Sequence, residues 1–189
     1  MAISKRFFDI SLASFLLLAL VGVLALVALA VKITSQGKVL YWSKRIGKDN
    51  TVFLMPKFRT MRTDTPVVAT HLLANPDAYL TPVGKFLRTT SLDELPQLYS
   101  ILMGHMSFVG PRPALFNQDD LIDLRTRAGV HVLTPGLTGW AQVNGRDELP
   151  IPDKVELDKV YLQRQSWLFD LQILLRTFVK VVRREGVVH

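Results

Sequence analysis

A chain of 189 residues is long enough for one domain with its own hydrophobic core, and the lack of cysteine excludes disulfides, thiolate zinc sites and a cysteine nucleophile. The four histidines have no metal-ligand spacing. A formal net charge of +7 and a pI near 9.9 point to an anionic partner: nucleic acid, anionic lipid or a phosphorylated small molecule.

From Ile10 to Val31 no residue is charged, and Leu12 to Val31 is interrupted only by Ser14 and Gly22. At ~1.5 Å per residue this stretch reaches about 30 Å, one bilayer core, and reads as a membrane segment. Three geometries fit it. A secretory signal would be cleaved near Ala28-Leu29-Ala30. A spanning helix suits the length but leaves basic residues on both sides, Lys5 and Arg6 before it and Lys32, Lys38, Lys44, Arg45 and Lys48 after it. A re-entrant hairpin puts both basic clusters on one face and needs a break in mid-segment, for which Gly22 is the local candidate.

Lys38 to Ile46 and Thr51 to Met61 read as two strands joined by the polar turn Gly47-Lys48-Asp49-Asn50, with Pro56 implying an edge strand or a bulge. Ser91-x-x-Glu94 has the form of a capping box. Pro96, however, suits the first position of a helix better than the fifth, so the favoured helix runs from Pro96 to Met103. Asp93 and Glu94 then stand just ahead of its positive end, with Arg88 upstream and Arg112 downstream, and carboxylates flanked by arginines suggest phosphate chemistry. Ala114 to Ala128 reads as a helix, acidic early and basic late. Leu133 to Arg146, dense in Gly, Thr, Asn and Pro, reads as an ordered loop. Pro152 to about Glu185 carries one long helical pattern, with Val160, Trp167, Leu171, Leu174, Phe178 and Val182 near one face; its first half is expected to pack on the domain and its second half to touch the membrane.

The stretches KFRTM (57–61), LRTTSLDELPQL (87–98), MSFVGPRP (106–113), PGLTGWAQVNGR (135–146) and SWLFDLQILLRT (166–177), following an apolar N-terminus, resemble the small monotopic phosphoglycosyl transferases, bacterial sugar transferases that start glycan assembly on a polyprenol carrier. The motifs occur in the family's order and cover nearly the whole chain. The resemblance implies an α+β, mainly helical fold. Residues 1–33 would be a membrane-embedded, re-entrant helix, and residues 34–189 a catalytic domain with a short β-hairpin and interfacial amphipathic helices. It implies transfer of a phosphosugar from a UDP-sugar to undecaprenyl phosphate at the cytoplasmic face of the bacterial inner membrane, releasing UMP, with membrane lipid as a partner and no nucleic acid. Asp93 would be the nucleophile and a ligand of Mg²⁺, and Glu94 its acid/base or orienting partner. Arg88, Arg112, Lys57 and Arg59 would bind phosphate; Asn144, Gly145 and Arg146 would contact the nucleotide, and Asp170 would have a polar role near the site. In one respect the chain departs from the family: no proline lies between Met1 and Tyr41 to break the membrane helix. The rival reading is a membrane-anchored basic module that binds anions without catalysis.

Overall fold

In the computed structural model, which describes residues 3–66, 68, 75–145 and 149–183, the apolar N-terminus forms two helices, α1 (Ile3–Ala19) and α2 (Val21–Thr34), bent by 64°. Among the described residues no single helix is long and apolar enough to cross a membrane. The break expected at Gly22 falls instead at Leu20, where ψ opens to 8°. Gly22 sits in the first turn of α2, in open space, where it lowers helix propensity next to the bend. Without a proline, the bend is held by packing at both ends. α1 buries Ala13 in the main core and lies along the helix α4 (Gln97–Leu102), while α2 buries Val27 and Val31 against Phe58 and Leu87. Between these anchors Phe15, Leu18, Val21, Leu26 and Leu29 stay exposed.

The hairpin forms as expected, with β1 (Leu40–Ile46) antiparallel to β2 (Val52–Phe58) and Pro56 opposite Trp42. With only two strands, each is an edge, so the missing N–H of Pro56 disrupts no third strand. After the short helix α3 (Gly84–Thr89) and α4, a second pairing sets β3 (Ser107–Val109) parallel to β4 (Gly136–Thr138). The stretch 133–146 is therefore not a plain loop: it supplies β4 and the helical turn α6 (Trp140–Asn144). Its glycines serve backbone contact, since a Cβ at Gly136 would collide with the Gly110 nitrogen and one at Gly139 with the Gly110 carbonyl.

Two helices differ from the sequence expectation. α5 covers only Asp119–Arg127, because residues 114–118 form a turn in which Gln118 Oε1 accepts from the Leu115 N–H at 2.8 Å. The long C-terminal pattern is two helices, α7 (Ile151–Arg164) and α8 (Trp167–Arg183), parted at Gln165, whose ψ of 113° is extended. Ser166 caps the second: its Oγ accepts from the Phe169 N–H at 3.3 Å and its carbonyl from Asp170 N–H at 2.9 Å. The buried stripe of α8 is Phe169, Asp170 and Ile173, so Trp167, Leu171 and Phe178 face outward rather than into the core. One core cluster joins α1, β2, α4, β3, α7 and α8 through Ala13, Phe53, Ile101, Phe108, Tyr161 and Ile173.

Candidate active site

Asp93 and Glu94 stand in a single 3₁₀ turn, Leu92–Glu94, between α3 and α4. Ser91 adopts the left-handed region (φ 57°), which ends the α3 path and starts that turn; its side chain makes no cap bond, so the capping box does not form. Pro96 takes the N-cap position of α4 with φ −61°, one residue before the first helical position that its ring favours. With about 3 residues per turn, neighbours diverge by about 120°. Asp93 accordingly points inward, 7% exposed, while Glu94 Oε1 accepts from Lys57 Nζ at 2.7 Å and from Arg112 Nη2 at 3.2 Å.

The cations come from three separate elements. Lys57 lies on β2, Arg112 on the segment leaving β3, and Arg88 on the last turn of α3, its Nε donating to Thr60 Oγ1 at 3.1 Å. Burial pushes the Asp93 carboxyl up to about 6; Lys57 pulls it down, Glu94 pushes it up, and Arg88 and Arg112 pull it down. Burial likewise lowers the Lys57 ammonium, against the attraction of Glu94. Two carboxylates among three cations leave one net positive charge, suited to a phosphate group. Above pH 6 Asp93 is a poorly solvated carboxylate facing these cations.

Of the residues expected at the site, the fold thus gathers Asp93, Glu94, Lys57, Arg88 and Arg112. Arg59 lies at the open end of the hairpin, donating Nε to the Lys38 carbonyl at 2.8 Å and stacking over Tyr41 at 6.0 Å. Asn144 is exposed at the end of α6, its Nδ2 donating to the Trp140 carbonyl at 2.7 Å, and Gly145 follows with φ 156°. Arg146 lies outside the described residues. Asp170 is a buried anchor: it accepts from Lys5 Nζ and, at 2.7 Å, from the Tyr161 hydroxyl, while Lys5 also donates to the Val109 carbonyl at 3.0 Å. Sequence reasoning took Lys5 for a charge flanking the membrane segment and missed Tyr161, Arg125 and Asp158. Lys5 meets Tyr161 and Asp170 from the other end of the chain, and Arg125 meets Asp158 across 33 positions, so no local pattern marks them.

Among the described residues no three or more His, Asp or Glu side chains form a metal cage. Mg²⁺ ordinarily takes one or two carboxylates and fills its shell with water and substrate phosphates. Asp93, with water and a bound diphosphate, would fit that donor set, whereas Glu94 Oε1 already accepts from Lys57 and Arg112.

Residues 1–184 match the family described as bacterial sugar transferase. An uncharacterised sugar transferase of Bacillus subtilis, EpsL, is 39% identical over 98% of this chain and 90% of its own length. The UDP-glucose:undecaprenyl-phosphate glucose-1-phosphate transferase of Escherichia coli is 42% identical over 93% of this chain, and the undecaprenyl-phosphate glucose phosphotransferase of Komagataeibacter xylinus 39% identical over 95%. The chain spans 39% and 36% of the length of these last two proteins. With a family match over nearly its whole length and a full-length relative at this identity, the chain belongs to the bacterial sugar transferase family.

Proposed function

We propose that the chain transfers a phosphosugar from a UDP-sugar to undecaprenyl phosphate in two displacements at Asp93. The observation that carries this reading is the buried Asp93 carboxylate set among Lys57, Arg88 and Arg112 beside Glu94. An Asp93 oxygen attacks the sugar-linked phosphorus, the bond from that phosphorus to the UMP oxygen breaks, and UMP leaves, giving an acyl phosphate that joins Asp93 to the phosphosugar. A phosphate oxygen of undecaprenyl phosphate then attacks the same phosphorus and expels the Asp93 carboxylate. Splitting the transfer lets a soluble donor and a lipid acceptor use one site in turn. Arg88 and Arg112 hold phosphate oxygens, and Glu94 keeps Lys57 and Arg112 in place. Mg²⁺, when bound, neutralises diphosphate charge.

The shape of the molecule supports a membrane-face location. Both ends of the bent pair pack on the same domain while the apolar apex between them is exposed, as a re-entrant hairpin requires. α8 adds an outward face of Leu168, Leu171, Leu175 and Phe178, suited to lie in the lipid interface. The exposed apex of the bent pair, around Phe15 to Leu29, then embeds in the inner membrane from its cytoplasmic side, and the basic charge meets phosphate and lipid headgroups rather than nucleic acid. Relatives of Sinorhizobium fredii and Rhizobium meliloti are named for exopolysaccharide production, the class of pathway such a step would open.

The test is UMP release from a panel of UDP-sugars, UDP-glucose first, with Mg²⁺ and with or without undecaprenyl phosphate. Acceptor-dependent turnover that disappears in Asp93→Asn is expected. Turnover retained in Asp93→Asn refutes the nucleophile, and no release from any donor favours a non-catalytic anion-binding module.

A further inference from the structure

Arg112 is carried by the segment Pro111-Arg112-Pro113-Ala114, which contains two residues without an N–H. It is held instead by its carbonyls. Pro111 accepts from the Gly136 N–H at 2.9 Å, Arg112 from Arg125 Nη1 at 2.7 Å, Pro113 from Arg45 Nη1 at 3.2 Å, and Ala114 from the Ile46 N–H at 2.9 Å. Arg125, on α5, is itself clamped: its Nε and Nη2 both donate to Asp158 Oδ2 on α7, at 2.9 and 2.6 Å. The two side chains are 12% and 1% exposed.

A buried ion pair of this kind is a poor stability device, because well-packed apolar residues of similar volume often serve as well or better. What apolar residues cannot do is donate to the Arg112 carbonyl. Arg112 precedes a proline, so its backbone is confined to extended geometry and its Cα–Cβ direction follows the plane of that carbonyl. We propose that Arg125 and Asp158 are a positioning pair, which through the Arg112 carbonyl aims the Arg112 guanidinium at Glu94 and at the diphosphate of the donor. Neither residue touches the reacting atoms. The activity readout rests on the transferase reading above.

The test is a double-mutant cycle between Arg125→Met with Asp158→Leu, which removes the pair without stranding a buried charge, and Arg112→Ala. The paired variant is expected to melt at or above the wild-type Tm. Its kcat/KM for the UDP-sugar falls by roughly 10- to 100-fold, the scale of a misplaced binding group. The loss is expected in KM for the UDP-sugar more than in kcat, because Arg112 holds the diphosphate of the donor. In the Arg112→Ala background the same paired change costs no more than about twofold, since the group it positions is gone. An unchanged kcat/KM in the first background, or equal losses in both, overturns the inference. If the paired variant does not fold, Arg125→Lys, which keeps the charge but not the fork, enters the same cycle with the same expectations for kcat/KM. Should the wild type turn over no donor, the transferase reading fails separately and the cycle is read in Tm. There the inference requires non-additive changes, and additive ones overturn it.

Discussion

Replacing Asp93 by asparagine should abolish turnover and at the same time stabilise the fold. Burial of the carboxyl outweighs the favourable field of Lys57, Arg88 and Arg112, so its pKa rises from 3.8 to about 6 on folding. A folded-state value above the unfolded one means that this group's contribution favours the fold fully below pH 3.8 and is lost as the pH climbs through about 6. At pH 7 the gap corresponds to about 3 kcal/mol of burial strain, which a neutral isostere avoids. For a chain of this size roughly 2–4 °C accompanies each kcal/mol, so Asp93→Asn should melt roughly 6–12 °C higher at pH 7. The assay is thermal unfolding of both proteins in the same detergent, without nucleotide or Mg²⁺, from pH 4 to pH 8. The advantage should shrink as the pH falls and vanish near pH 4. A variant that melts with the wild type at pH 7, or whose advantage is independent of pH, would show that the cations already compensate the buried carboxylate.

On the proposed mechanism the same group should govern the rate. For the first displacement kcat/KM should fall about tenfold per unit below pH 6 and level off above it, as a nucleophile active only when deprotonated requires; a profile flat down to pH 5 would exclude Asp93 from that role. Lys5→Met leaves the Asp170 carboxylate buried without its ammonium and should cost about 3–5 kcal/mol in chemical denaturation, a loss that Asp170→Leu in the same chain should largely restore. Gly136→Ala drives a methyl into the Gly110 backbone and should cost roughly 1–3 kcal/mol, whereas Gly22→Ala, with open space on its helix, should gain about 1 kcal/mol or less. Equal stabilities for those two alanine variants would contradict the close β3–β4 approach.

Local rules carried most of the fold's outline. Period-two patterning with a polar turn located the hairpin, and the preference of proline for a helix start located α4. Where the reading failed, the deciding contact was either small or distant. One serine, Ser166, divides an otherwise continuous helical pattern, and the signal was present as an N-cap residue before an apolar run. The glycines of 133–146 resembled loop residues because the strand they serve, β3, lies some 30 positions earlier. For the site, Asp93, Glu94, Arg88 and Arg112 share neighbouring motifs, and the fold brings Lys57 to them. Arg59, two residues from Lys57, shows the limit of that reasoning: β2 ends at Phe58, so the alternation that would align the two no longer applies.

The link between the N-terminal helices and the site is also tertiary. Arg6 donates to the carbonyls of Ile101 and Leu102, the last of α4, and thereby satisfies the end of the helix whose start follows Asp93 and Glu94. One residue earlier, Lys5 holds the Val109 carbonyl, three residues before Arg112. A sequence reading takes both residues as the basic charges that precede an apolar segment, and in that role they would be interchangeable with any other basic pair. Their bonds here are specific in geometry and buried or half-buried, so α1 belongs to the core that carries the site. The core therefore runs across residue 33 rather than stopping there: removing α1 would uncover Ile101 and Phe108 and leave the Ile101 and Leu102 carbonyls without Arg6.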